Sequence, residues 1–257
     1  MMMKPPELKS TLIELRLHHL AQNLDDLVAR WTKSRLGPRE IVEDIVQKES
    51  EDRRRRTVEG RLHHARIGRF KPLADFDWSW PTAVDRSRVE SLMNLEFLPS
   101  RENVILAGAE GLGKTMIAQN IAYTAVLAGH TTLFTTASNM LADLSQQESS
   151  RALQARIRRY IRPKLLVIDE VGYLSYDARM ADLFFEIISR RYEKGSILLT
   201  TNLGFQDWPK HFPGAACVTA LLDRLTHHAE ILAIEGRSFR LKEAEDRKAK
   251  RKGSKMK

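Results

Sequence analysis

A single cysteine, Cys217, stands in this chain of 257 residues. No disulfide framework can form, and cysteine-rich zinc sites are excluded. No apolar run approaches the roughly 18 residues of a membrane span. Met1 to Lys9 lacks the apolar stretch of a secretory signal, so a cytoplasmic protein without a membrane partner is expected. Internal repeats are absent, and the only low-complexity segment is the basic stretch at residues 247–257. Hydrophobic residues at 42% and charged residues at 29% rule out a mostly disordered chain and leave enough apolar side chains for a sizeable core.

Acidic charge is also scarce at both ends. The formal net charge is +9. Residues 1–72 carry 16 basic and 11 acidic groups, and residues 247–257 carry seven basic groups and no acid. The middle, 73–246, is slightly acidic, with 19 basic and 22 acidic groups. Basic ends around a near-neutral middle suit a polyanion, most simply nucleic acid; a solvated tail is the plainer alternative.

Residues 7–31 read as one amphipathic helix, with Leu8, Leu12, Leu15, Leu20, Leu24 and Leu27 at helical spacing. Gly37-Pro38 breaks it, and a second helix runs from there towards Gly60, carrying Arg53–Arg56. Residues 69–83, rich in proline and tryptophan, read as a linker after a helical N-terminal domain at 1–68. The remainder, 84–242, alternates short apolar strands with amphipathic helices, ahead of a basic tail at 243–257. Strands are expected at Asn103–Ala107, Thr131–Thr135, Leu165–Ile168, Ser196–Thr200 and Ile231–Ile234. That alternation predicts an α/β fold, a parallel sheet covered on both faces.

Gly108–Thr115 reads GAEGLGKT and fits G-x-x-x-x-G-K-[ST], a phosphate loop between a strand and a helix. Gly108, Ala109, Glu110, Gly111, Leu112 and Gly113 supply a backbone whose N–H groups cradle phosphates, helped by the helix N-terminus. Lys114 should reach the β- and γ-phosphates, and Thr115 should ligate Mg²⁺. Leu165–Glu170 reads LLVIDE, an apolar strand ending in two acids where parallel sheets hold their ligands. Asp169 would hold Mg²⁺, and Glu170 would activate the attacking water. Asn202, ending SILLTTN, would hydrogen-bond the γ-phosphate or the water, with Thr200 and Thr201 as alternates; capping the turn before Gly204 is its simpler role.

The series GAEGLGKT, LLVIDE and SILLTTN resembles the AAA+ ATPases. With DEVGYL at Asp169–Leu174, TTNLGFQDW at Thr200–Trp208 and GRSFR at Gly236–Arg240, it is most similar to IstB, the helper ATPases of insertion-sequence transposition, with the helicase loader DnaC as a near relative. The resemblance covers nearly the whole chain. It implies ATP and Mg²⁺ as cofactors, hydrolysis, DNA and a transposase as partners, and a head-to-tail homo-oligomer, a ring or a filament. It also nominates Arg224, in LLDRL, as an arginine supplied in trans, with Arg190 and Arg191 as fallbacks, and Arg237 or Arg240 as a second sensor. No helical lid of the kind many AAA+ proteins carry is expected after GRSFR, which leaves that sensor role open.

Arg151–Lys164 holds six basic residues and no acid. Arg151, Arg158 and Arg162 fall near one helical face and Arg156 and Arg159 on the next row, giving candidate contacts to a DNA backbone or a solvated face. No zinc-finger or bZIP pattern accompanies them. The pairs His18-His19, His63-His64 and His227-His228 lack a metal signature, since neighbours on a helix diverge. Cys217 reads as a buried small residue. Phe76, Trp78 and Trp80 either wall an adenine pocket or pack the linker onto the core. Three functions stay open: a transposition helper, a helicase loader, and a nucleotide-gated DNA adaptor.

Overall fold

The computed structural model describes residues 5–173, 176–212 and 215–242; the side chains of Pro5, Pro6 and residues 215–217 are outside that description, as is the basic tail. The expectation for Cys217 therefore falls outside the described residues. The chain forms two compact units, one ending at Gly60 and one beginning at Arg61.

In the first unit the expected 7–31 helix is two: α1, Pro5–Glu14, and α2, His18–Lys33. Arg16 between them has φ 61, a left-handed turn that ends α1. α3, Pro38–Ala65, begins at Pro38 as its fixed φ favours and runs through Gly60. Leu12, Leu20, Ala21, Leu27 and Trp31 form the buried core of this unit. Glu49 of α3 is buried, and its Oε1 accepts the Leu20 N–H at 2.7 Å, satisfying an otherwise orphaned donor in the first turn of α2.

The second unit is a five-stranded, all-parallel sheet in the order β2-β3-β4-β1-β5. Its strands are β1 Asn103–Gly108, β2 Thr132–Thr136, β3 Leu165–Val171, β4 Ser196–Thr201 and β5 Ala229–Ile234. Before β1 stand the short helices α4, Arg86–Leu92, and α5, Phe97–Ser100. The crossovers carry α6, Lys114–Leu127, then α7, Ala137–Ser145, with α8, Ser150–Ile161, then α9, Ala178–Arg191, and finally α10, Trp208–His211, with α11, Ala215–Thr226. Strands buried on both faces need continuous apolar runs, and β1, β3 and β4 have them.

β3 does not stop at Ile168 as expected. It continues through both acids to Val171, and its register against β4 slips there: Ile168 faces Leu199, whereas Val171 faces Thr201. One extra residue is thus inserted, a β-bulge, with Glu170 at φ 60. Residues 69–83 pack onto the rest of the second unit. Leu73–Asp75 form a turn of 3₁₀-helix whose Leu73 N–H is taken by Asn120 of α6, and Phe76 is buried in the core.

Arg191, at the end of α9, is 1% exposed. Its guanidinium donates to the carbonyls of Tyr160, Ile161, Pro163, Lys164 and Ser196 at 2.7–3.2 Å. Burial alone pulls its pKa down to about 10. It ties the end of α8 to the starts of β3 and β4 and has no surface to offer a neighbour, so it is removed from the fallback arginines.

Candidate nucleotide site

Three adjacent strands, β3, β4 and β1, end on the same side of the sheet, and the candidate residues gather there. They border a cavity of about 340 Å³ lined by the loop from Glu110 to Thr115, by Glu170, Thr200, Thr201 and Asn202, and by Phe76, Trp80, Phe239 and Arg240. The loop follows β1 and opens α6. Gly113 stands just before α6 at φ 86, and a Cβ there would come to 2.5 Å of Phe76 Cε2, so only glycine allows the loop to turn beneath that ring.

The Lys114 ammonium donates to the carbonyls of Gly108 and Ala109 at 2.6 and 2.7 Å. Burial lowers its pKa below the usual 10.5, opposed mainly by the negative charges of Asp169 and Glu110. Asp169 is buried, and its Oδ1 accepts from Thr115 Oγ1 at 3.1 Å and from Thr200 Oγ1 at 2.5 Å. Thr200 Oγ1 in turn accepts the Glu170 N–H at 2.9 Å. The bulge therefore separates the two acids. Asp169 is held inward against Thr115, while Glu170 is exposed at the cavity. Thr200, weighed in the sequence only as an alternate to Asn202, is the residue that fixes both. Asn202 reaches across to the loop, its Nδ2 lying 3.4 Å from Glu110 Oε1.

Of the linker aromatics, Phe76 and Trp80 line the cavity, whereas Trp78 meets Phe76 at a tilt, centroids 4.6 Å apart, and lies under Arg86 at 5.2 Å. The two readings of these rings thus divide between residues. Arg240 lines the cavity and Arg237 does not.

Arg224 is away from the cavity. It is half-buried on α11, donates to Ser189 Oγ at 2.6 Å and stacks over Phe185 at 4.7 Å. Arg190 pairs with Glu186. On α8, Arg151 and Arg158 are exposed, as is Arg162 just beyond it, and none of the three pairs with an acid among the described residues. Arg156 and Arg159 differ, since both pair with Asp143 of α7, at 2.9 and 3.9 Å. Their charge is partly neutralised within the chain, which distinguishes them from the other three candidates.

His227 and His228 lie beyond the end of α11, so the helix argument does not separate them, and their rings stand 4.0 Å apart. With Glu193 they form an exposed cluster, His227 engaged by the Tyr192 hydroxyl at 2.8 Å. Nothing in it marks more than a surface polar cluster. No described helix is long and apolar enough to cross a membrane.

A parallel sheet in this order, with a phosphate loop after β1 and a buried acid on β3, defines a P-loop protein of the AAA+ class. Residues 10–247 match the family model described as IstB-like ATP binding protein, and the chain belongs to that family. It is 39% identical over 237 residues to an ATP-binding protein of insertion sequence IS21 from Pseudomonas aeruginosa, covering 92% of this chain and 89% of that one. A counterpart of insertion sequence IS232 from Bacillus thuringiensis is 32% identical over 237 residues, 92% of this chain and 95% of its own. Among solved structures the fold resembles DnaI, with TM-score 0.54, 20% identity, and coverage of 65% of this chain and 92% of DnaI. The AMPPCP-bound DnaA of Aquifex aeolicus gives TM-score 0.50 at 21% identity, over 63% of this chain and 51% of its own. The protein is thus an ATP-binding AAA+ protein of the insertion-sequence type.

Proposed function

We propose that this chain hydrolyses ATP as a DNA-bound helper of transposition. The observation that carries hydrolysis is the bulge at Asp169-Glu170, which turns two neighbouring carboxylates apart, one held inward and one at the cavity. Thr115 and Asp169 present hard oxygen donors 3.1 Å apart, a set that fits Mg²⁺, and they would hold it to neutralise phosphate charge. Lys114 and the loop N–H groups bind and orient the phosphates. Glu170, exposed at the cavity, orients a water and takes its proton. Asn202 holds the water or the γ-phosphate. Arg224 serves the site of the next subunit in a head-to-tail assembly, a role that suits its absence from the lining of its own cavity.

Binding to duplex DNA through Arg151, Arg158 and Arg162 is supported by their exposure and by the lack of an ion pair at any of them among the described residues. Transposase as the partner is supported by the insertion-sequence descriptions of the relatives. The N-terminal helices take the partner contacts in this reading, since Val42 and Val46 are exposed one turn apart on α3.

The test is ATP turnover across protein concentration, with and without long duplex DNA. Cooperative, DNA-stimulated turnover is expected. Flat, concentration-independent turnover overturns the assembly, and stimulation by single strands alone moves the reading to a helicase loader.

A further inference from the structure

The segment after β5 sits directly on the phosphate loop. Glu235 pairs with Ala83 as an isolated antiparallel bridge, bonded in both directions at 2.9 and 3.2 Å. Trp80 Nε1 donates to the Arg237 carbonyl at 2.6 Å. Lys242 pairs with Asp77 at 3.3 Å and stands 4.3 Å from the Trp80 ring, while Phe239 meets that ring edge-on at 6.1 Å. Residues 77–83 and 235–242 thereby form one strap of two chain segments. At its far side the Phe239 N–H donates to the Gly111 carbonyl at 3.0 Å. Gly111 has φ 74, and a Cβ on it would overlap the Ser238 side chain.

This contact bears on phosphate binding through the planar trans peptide. The carbonyl of Gly111 and the N–H of Leu112 share one rigid plane and point opposite ways. Fixing the carbonyl fixes that N–H, one of the donors the loop offers to phosphate. We infer that the strap holds the phosphate loop in its nucleotide-binding shape, with Trp80 as its anchor and Ser238 and Phe239 as positioning residues. The inference rests on the nucleotide reading of the cavity and assigns work to a segment which the loop motif does not contain.

The experiment titrates a fluorescent ATP analogue into the full chain and measures kcat at saturation. Trp80→Phe keeps an aromatic ring and removes the indole N–H, so nucleotide Kd should rise about tenfold, the loss of one good hydrogen bond, with a smaller fall in kcat. Asp77→Asn, which weakens the other tie, should raise Kd in the same direction. Gly111→Ala should bind poorly, and adding Ser238→Gly should recover at least part of that loss, because it removes the side chain the new methyl meets. A purely local backbone strain at Gly111 would not be relieved this way. Wild-type affinity in both Trp80→Phe and Asp77→Asn, or no recovery in the double variant, overturns the inference alone. Failure of the wild type to bind overturns the nucleotide reading, and the strap with it.

Discussion

Thr200 uses one hydroxyl for two tasks: it donates to Asp169 and accepts from the Glu170 N–H. Thr200→Val keeps the shape and removes both bonds. It leaves a backbone donor at a strained residue without a partner, a cost of about 1–3 kcal/mol. The expected outcome is a folded protein that still binds ATP and turns over roughly 10²-fold more slowly, of the order seen when a positioned polar group leaves an active site. Single-turnover kinetics beside a nucleotide titration check this; unchanged turnover would show that the bulge does not need its cap. Lys114 gives a pH test. Nucleotide favours the ammonium form, and burial places its pKa below the usual 10.5. Affinity should therefore fall as pH rises through that lowered value, earlier than an ordinary lysine would allow. Nucleotide titrations on the alkaline side read it, and affinity that holds until the ordinary lysine range would contradict it.

At the scale of elements, what the sequence revealed depended on the range of the interaction. The phosphate loop was legible because its chemistry lies in eight consecutive residues, Gly108–Thr115. The three inner strands, β1, β3 and β4, were legible because burial on both faces leaves continuous apolar runs. The bulge was not, since it exists only where β3 meets Thr200 on β4, thirty residues away in sequence. The break at Arg16 was hidden because leucines continue at helical spacing across it. Likewise nothing local to Phe76 says that it will lie over Gly113, and residues 69–83 read as a linker. Arg191 is the clearest case. Its sequence context is an ordinary basic helix end, yet it is buried and holds five carbonyls. Arg191→Met should leave those acceptors unpaired at the junction of α8, β3 and β4, and we expect a loss of about 2–4 kcal/mol. Arg191→Lys should recover little, since an ammonium lacks the planar fork that spans them. Urea unfolding measures both, and a Met variant as stable as wild type would show that the buried charge costs as much as its bonds return.

For the whole molecule, charge and geometry meet in the proposed assembly. If Arg151, Arg158 and Arg162 each neutralise one phosphate, replacing all three with alanine should reduce the log–log salt slope of DNA binding by about 2.7, at roughly 0.9 per contact. Replacing Arg156 and Arg159 should change it less, because Asp143 already holds them. Arg224 permits a sharper test, because a residue that acts on a neighbour can be supplied by a different chain. Lys114→Ala should lack nucleotide yet keep its arginine; Arg224→Ala should keep its site yet offer nothing to the next subunit. Each alone should be nearly inactive. In an equal mixture, half the subunits carry an intact site, and half of those face a neighbour with an arginine, so about a quarter of the wild-type turnover should return if subunits mix freely in a head-to-tail array. An arginine acting within its own chain gives no recovery, because neither variant then holds a complete site. Turnover no greater than the sum of the separate variants, at a concentration where wild type assembles, would place Arg224 in the packing of α11 on Ser189 and Phe185 and nowhere else.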